Sequence, residues 1–316
     1  MTDIQLFDQS GGNQDGGLVR KKVFKKKHCA PGKDTTDGSC LDEELIKKIA
    51  KIVNRMRKKD KDLPEINCKD PIEKIHGCVC KTLQQITGCS SEACWLKIKT
   101  LMKHLGKDKE KFKESFKPIM PEEWLEDYNA WLGTDDIENC LEQHQKTDKT
   151  FYFYGAEPID FADCSVSNLC SFDMEKHLEK GQDKIGVVFN TDPHNKPGQH
   201  WMSLYMDLSG INIKGVPAIY YFDSYGRKPG KEVTKLIKKV KKQGEKCNNP
   251  VKYFYNDKEY QNKDAQCGMY CIHFIKEMQK GIDFKKFLNS GLSDKKMVEV
   301  RDDYFISPNE IKMKKK

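Results

Sequence analysis

Residues 261–271 read Gln261-Asn-Lys-Asp-Ala-Gln-Cys267-Gly-Met-Tyr-Cys271 and open an amphipathic segment. From Cys267 to Met278 the apolar residues recur at helical spacing, which predicts a helix that begins at the cysteine. A thiol at a helix N-terminus lies at the positive end of the helix dipole, which favours the thiolate. Gly268 lets another backbone approach closely. The stretch therefore predicts a cysteine nucleophile carried by a helix.

A thiolate nucleophile needs a base, and the base needs a group that orients it. His200 begins a predicted strand over residues 200–208 and is followed by Trp201. Asp223 follows the next predicted strand, residues 218–222. Two strands and a helix would then supply a His, an Asp and a Cys to one site, which is the logic of a catalytic triad.

The sequence offers alternatives for each role. His194 lies in the preceding loop and could be the base, although it lacks the strand and the tryptophan. Asp207 could orient the base, but it shares a strand with His200. Cys271 lies one helical turn beyond Cys267 and is expected in the core.

Short apolar runs and turn signals organise the remainder of this half of the chain. Residues 185–189 and 251–255 are predicted strands, and residues 231–242 form a predicted amphipathic helix with a solvated lysine face. Together with the segments above, they predict an α+β domain over residues 118–305, with a mixed central sheet flanked by helices.

The net charge of +8 is confined to the N-terminal third. Residues 1–118 hold 26 Lys and Arg against 17 Asp and Glu, whereas residues 119–316 hold 30 against 31. Helical patterns beginning at Asp42, and over 71–86 and 91–105, predict a basic helical arm module at residues 28–117. Residues 1–27 are predicted to be a disordered basic tail, and residues 306–316 a basic C-terminal tail. Such a module could contact nucleic acid.

Composition excludes several classes of protein. The mean hydropathy is −0.77 and no apolar run approaches the roughly 20 residues of a membrane span, so no membrane partner is expected. Nucleotide-binding and H-E-x-x-H zinc motifs are absent, and we expect no cofactor and no metal. The 13 cysteines are predicted to be reduced thiols in a cytosolic type of compartment. A structural zinc at the N-terminal Cys and His pairs is the weaker alternative.

Four separated motifs, in the right order, resemble one protease family. The motifs are His200-Trp201, Asp223-Ser224, Gln261-x5-Cys267-Gly268 and Trp131-Leu132-x-x-Asp135-x-Ile137. They are similar to those of the ubiquitin-like-protein-specific (SUMO-type) cysteine proteases and cover roughly residues 120–280. The basic helical arm resembles that of the proteases of large DNA viruses of the African swine fever type, which mature virion polyproteins at Gly-Gly-X sites.

The resemblance implies a role for each matching residue. Cys267 would be the nucleophile, His200 the general base and Asp223 its orienter. Gln261, six positions before the nucleophile, would donate to the oxyanion together with the backbone N–H of Cys267. Trp131, Trp201 and Gly268 would bind the glycine-rich substrate. SUMO proteases usually have Asp before the nucleophile, and this chain has Gln266.

The expected function is a thiol endopeptidase that cleaves after Gly-Gly in viral polyproteins or ubiquitin-like protein tails. The alternatives are an isopeptidase that removes SUMO or ubiquitin from host conjugates, an acyltransferase on the same scaffold, and a non-catalytic binding module. The expected location is the virion and the host cytoplasm for a viral protein, and otherwise the cytoplasm or nucleus.

Overall fold

The central element is a five-stranded mixed sheet. The computed structural model describes residues 28–33, 38–57, 63–127, 129–263 and 265–313. The strands lie in chain order across the sheet, with parallel pairs at both edges and antiparallel pairs in the middle. They are β1 (Phe151–Glu157), β2 (Lys184–Asn190), β3 (Trp201–Asp207), β4 (Ala218–Phe222) and β5 (Lys252–Tyr255).

Helices precede the sheet, flank it and follow it. Those before the sheet are α1 (Glu43–Met56), α2 (Ile72–Thr87), α3 (Lys99–Leu105), α4 (Lys109–Lys113) and α5 (Thr134–Thr147). Those within and after it are α6 (Met174–Glu179), α7 (Lys231–Lys246), α8 (Cys267–Gln279), α9 (Phe284–Leu288), α10 (Asp294–Glu299) and α11 (Arg301–Tyr304). Among the described residues, no helix is both long enough and apolar enough to cross a membrane.

Each face of the sheet has its own core, so both faces are covered. On one face, Phe222 stacks on Phe274 of α8 with ring centroids 5.3 Å apart, and α5 packs beside α8. On the other face, Leu204 and Tyr221 pack in one cluster with Val233 of α7. The α+β prediction with a mixed central sheet is confirmed. Strand β1 and helix α5 were not predicted.

The N-terminal module is mainly helical and has a third core of its own. Helices α1 and α2 bury one apolar face each, as their spacing predicts. The predicted helix over 91–105 is divided, because Ala93–Lys97 forms a 3-10 helix and Ile98 is extended before α3 begins. The predicted tail 1–27 lies outside the described residues.

The C-terminal segment was wrongly predicted to be a tail from residue 306 onwards. Ile306 pairs with Ile119 in a β-bridge, and Pro308–Ile311 forms a 3-10 helix. Ile306 and Ile311 are buried in the core of the N-terminal module, and the His28 imidazole hydrogen-bonds Glu310 at 2.8 Å. The free energy gained by burying two isoleucines outweighs the tendency of the basic last residues to stay in solvent.

The expectation that all 13 cysteines are thiols was also wrong. Three disulfides join Cys29 to Cys40, Cys89 to Cys94, and Cys164 to Cys170. Each pair is only 5 to 11 residues apart and closes a local loop. The odd number of cysteines and their irregular spacing therefore did not exclude disulfides between cysteines that are near neighbours in the sequence. Seven described cysteines are free: Cys68, Cys78, Cys80, Cys140, Cys247, Cys267 and Cys271.

We expect the Cys29–Cys40 bridge to stabilise the N-terminal module. Closing a loop of this length restricts the unfolded chain and is worth about 2–3 kcal/mol. Replacing both cysteines by serine should lower the free energy of unfolding by that amount, measured by chemical denaturation without reductant. The matched control is Cys68→Ser, which removes a free thiol. Equal stabilities of the double variant and the wild type would contradict a stabilising bridge.

Candidate active site

Sheet register brings the candidate base and its orienter to the same edge. Strands β3 and β4 are antiparallel, with Ser203 opposite Phe222. His200 immediately precedes β3 and Asp223 immediately follows β4, so the two lie side by side where the strands end. Helix α8 packs on β3 and begins at Cys267.

The three side chains form one chain of contacts. The Nε2 atom of His200 lies 2.7 Å from Oδ1 of Asp223, and the thiol of Cys267 contributes to the raised pKa of the imidazole. With Nε2 on the carboxylate, Nδ1 is the ring nitrogen left for the thiol. His200 is 7% exposed and Cys267 is 1% exposed, so the chain is shielded from solvent. This arrangement can hold a thiolate beside an imidazolium.

The environment of His200 favours its charged form. Burial lowers its pKa, but hydrogen bonds and negative charges from Asp223 and Cys267 outweigh burial and raise the pKa to about 9. An imidazolium at neutral pH can stabilise a neighbouring thiolate and can later give its proton to a leaving amine.

We expect activity to decline above pH 9. Because the pKa of His200 is raised from its usual 6.5 to about 9, the imidazolium and the stability it adds are fully present below pH 6.5 and are lost as the pH rises through 9. The kcat/KM for a cleaved peptide should therefore fall about tenfold per pH unit beyond that point. A profile recorded from pH 6 to 10.5 tests this, and a flat alkaline limb up to pH 10.5 would contradict it.

The backbone of Asp223 is held through both its N–H and its carbonyl. Its backbone N–H donates to Oδ1 of Asn256 at 2.9 Å, and Nδ2 of Asn256 donates to the Asp223 carbonyl at 2.6 Å. The N–H of Tyr225 donates to Oδ1 of Asp223 at 3.0 Å. The carboxylate that faces His200 is thus fixed by Asn256, at the end of β5, and by its own turn.

Gln261 is fully buried and fixed through both ends of its amide. Its Oε1 accepts a hydrogen bond from Ser224 Oγ at 2.7 Å. Its Nε2 donates to the carbonyl of Lys263 at 2.6 Å and to the hydroxyl of Tyr225 at 3.3 Å. The first N–H groups of a helix have no acceptor within the helix, so the N–H of Cys267 is available to an oxyanion.

A cleft begins one residue beyond His200, at Trp201. A cavity of about 400 Å³ is lined by Trp131, Leu132 and Trp201, among others. Trp201 donates from Nε1 to the carbonyl of Leu132 at 3.0 Å, and Trp131 is 45% exposed. A Cβ added to Gly268 would lie 3.0 Å from Cβ of Leu132, so no larger residue fits there without displacing the wall. Trp131, Trp201 and Gly268 therefore all lie next to Leu132.

The alternative residues lie elsewhere or are engaged. His194 lines the same cleft, but it pairs with Asp160 at 2.6 Å in an exposed loop. Asp207 accepts hydrogen bonds from the backbone of Gly210 and Asn212, at the far end of β3. Cys271 is buried, and burial raises its pKa.

Three residues around the site were not predicted. Tyr225 packs on the ring of His200 with centroids 4.9 Å apart. Arg301 of α11 donates to Oε1 of Gln266 at 3.0 Å and lies 3.8 Å over the ring of Trp124. Asn256 follows β5, a strand parallel to β4. Its position at the end of that strand, beside Asp223, is the signal from which its role could have been predicted. Nothing local marks Arg301, because its contact spans 35 residues of chain.

Among the described residues, no group of three or more His, Cys, Asp or Glu could hold a metal ion. A helix-borne thiol beside a His–Asp pair is an arrangement that thiol proteases use. Residues 134–315 match the Ulp1 protease family, C-terminal catalytic domain. The chain belongs to this family of cysteine proteases.

Relatives of this chain come from large DNA viruses. A protein of Acanthamoeba polyphaga mimivirus named as a thiol protease is 31% identical over 55% of this chain, and the match spans 56% of that protein's length. A cysteine protease of African swine fever virus is 23% identical over 75% of this chain and 94% of its own. The crystal structure of the African swine fever virus protease has a TM-score of 0.64 at 20% identity, covering 90% of this chain and 97% of that one. The last comparison shows a shared fold that includes the N-terminal module.

Proposed function

We propose that this protein is a thiol endopeptidase that cleaves protein substrates after a Gly-Gly pair. The observation that carries the proposal is the hydrogen bond between Asp223 and His200, whose imidazole is also influenced by the thiol of Cys267. Trp201, which follows His200, lines a cleft together with Trp131. The viral relatives support a viral polyprotein as the source of the substrate.

The geometry supports a two-step acyl transfer. The Cys267 thiolate attacks the carbonyl carbon of the second glycine, and the oxygen takes the negative charge. The N–H of Cys267 stabilises that charge, and the Gln261 amide adds to it when one of its two Nε2 hydrogens leaves its present acceptor for the oxygen. The imidazolium of His200 gives its proton to the leaving amine, which releases the first product and leaves a thioester. His200 then takes a proton from water, whose oxygen displaces the thiolate and frees the second product.

The cleft accounts for the proposed glycine preference. Trp201 and Leu132 are linked by a hydrogen bond, and a Cβ on Gly268 would lie only 3.0 Å from Cβ of Leu132. We expect the tryptophan rings to exclude a substrate residue that has a Cβ. Glycine alone lacks that atom.

The proposal is tested by cleavage of peptides that present Gly-Gly-X, with Gly-Ala-X and Ala-Gly-X as matched controls. We expect cleavage after the second glycine only, located by mass spectrometry of the products. Intact SUMO and ubiquitin fusions form a second panel, because related viral proteases carry the name SUMO-1 cysteine protease. Failure to cleave any glycine substrate would overturn the proposal. A stable acyl-enzyme with acyl-CoA and no peptide cleavage would favour the acyltransferase.

We also propose that the basic N-terminal module associates with nucleic acid. Lys99, Lys103 and Lys107 are exposed on and after α3. Replacing all three by glutamate should weaken binding to a labelled duplex at low salt and flatten its salt dependence. Deleting residues 1–117 is a poor test, because it would expose Ile306 and Ile311. Unchanged binding by the triple variant would count against the proposal.

A further inference from the structure

A second cavity, of about 370 Å³, lies where the N-terminal module meets α5 and α8. Pro31 and Lys117 line it from the module, and Cys140, Gln143 and His144 line it from α5. The walls from α8 and α11 are His273, Lys276, Glu277, Lys280, Asp303 and Tyr304. None of these residues belongs to the proposed catalytic set.

Lys276 is the buried cation of this cavity. It is 8% exposed, and its Nζ donates to Nδ1 of His144 and to Oε1 of Gln279, each at 2.6 Å. Burial and the charge of Lys276 lower the pKa of His144 to about 3, so this partner is neutral. Within the part of the chain that the structure describes, Lys276 forms no salt bridge. Buried charges are normally paired with an opposite charge.

The other charges around the cavity leave a positive surplus. Lys280 is paired with Glu277 through a salt bridge. The lining as a whole carries three lysines and two carboxylates, those of Glu277 and Asp303. Lys117 donates to the backbone carbonyl of Asp302 at 3.1 Å, which keeps its ammonium at the cavity.

We propose that this cavity binds a small oxyanion of the phosphate type, with Lys276 as the buried ligand and Lys117 on the opposite wall. The anion would supply the countercharge that Lys276 lacks among the described residues. It would also tie the N-terminal module to α8, the helix that begins at Cys267.

The test is calorimetric titration of the full chain with inorganic phosphate at constant ionic strength. We expect saturable binding, at least tenfold weaker in Lys117→Met and lost in Lys276→Met. Lys242→Met, on the exposed face of α7, is the control of equal charge change and should bind as the wild type does. If the Lys276→Met variant does not fold, phosphate binding by the Lys117→Met variant decides whether the proposal stands. Absence of saturable binding to the wild type, or equal binding by every folded variant, would overturn the proposal.

A separate observation concerns Tyr225, which contacts all three groups that surround the candidate nucleophile. Its ring packs on His200, its N–H donates to Asp223, and its hydroxyl accepts from Nε2 of Gln261. Arg227 lies over its ring at 4.7 Å from the centroid. One residue thus links the base, its orienter and the oxyanion donor.

We infer that Tyr225 is a positioning residue for the oxyanion donor and the base, an inference that rests on the proposed function. Tyr225→Phe keeps the ring on His200 and removes the acceptor for Gln261. We expect it to lower kcat about tenfold with little change in KM, since the oxyanion forms only after binding. Tyr225→Leu removes the ring as well and should also shift the alkaline limb of the pH profile.

Two comparisons separate the possible failures. Ser224→Ala removes the other side-chain partner of the Gln261 amide and should reproduce the kcat defect of Tyr225→Phe. Tyr255→Phe, on β5, is the control for loss of a tyrosine hydroxyl. If the wild type cleaves Gly-Gly-X and Tyr225→Phe matches it within twofold, the positioning role is wrong. If the wild type cleaves nothing, the proposed function itself fails.

Discussion

Replacing Cys267 by alanine is expected to abolish peptide cleavage, lowering kcat/KM by on the order of 10⁴-fold or more. Alanine has no nucleophile, so no thioester can form. The nearest thiol along the helix, Cys271, cannot substitute for it, because this group is buried and burial raises its pKa. Steady-state rates with a fluorogenic Gly-Gly peptide measure the loss.

The fold of the Cys267→Ala variant has to be intact for this result to be informative. The change removes one sulfur from the start of α8 and leaves its packing against the sheet, so the denaturation midpoint should stay close to that of the wild type. Cys247→Ser, an exposed free thiol, is the matched control and should retain full activity. Iodoacetamide should alkylate Cys267 in the wild type before Cys140 and Cys271, whose pKa values are raised by burial. Cleavage by the alanine variant above about 1% of the wild-type rate would refute the nucleophile assignment.

Replacing Asp223 by asparagine is expected to lower kcat/KM by about 10²–10⁴-fold. The carboxylate accepts a hydrogen bond from Nε2 of His200 at 2.7 Å and contributes to its raised pKa. Asparagine is close to the same size, but it lacks the charge that stabilises the imidazolium. The alkaline limb of the pH profile should therefore move below pH 9.

Two further variants give this experiment its controls. Asp160→Ala removes the partner of His194, the other histidine–aspartate pair in this region, and should change kcat little. Asn256→Ala frees the Asp223 backbone without changing the charge, so it should lower kcat less than Asp223→Asn. If Asp160→Ala proved as damaging as Asp223→Asn, His194 would have to be reconsidered as the base.

The sequence was sufficient to predict the site because its residues stand at the ends of regular elements. His200 and Asp223 flank two strands with clear apolar patterns, and Cys267 begins a strongly patterned helix. Hydrophobic periodicity locates such elements. Because β3 and β4 are antiparallel neighbours, the start of β3 lies beside the end of β4.

The elements that were missed lack periodicity or depend on distant partners. Strand β1 is interrupted by a register shift at Gly155, whose φ of 116° suits glycine alone. Helix α5 buries only Ile137, Cys140 and Leu141. The disulfides and the buried C-terminal segment are pairings in space, which cannot be derived from residue spacing in one sequence.

The packing of Ile306 and Ile311 into the N-terminal core has a consequence for synthesis. A ribosome delivers the N-terminal module first, yet two apolar residues of its core are made only after the catalytic domain. The module can therefore reach its final stability only after the catalytic domain has emerged. A chain that stops at Tyr304 should show faster amide hydrogen exchange in α1 and α2, and equal protection in the two chains would contradict this order of assembly.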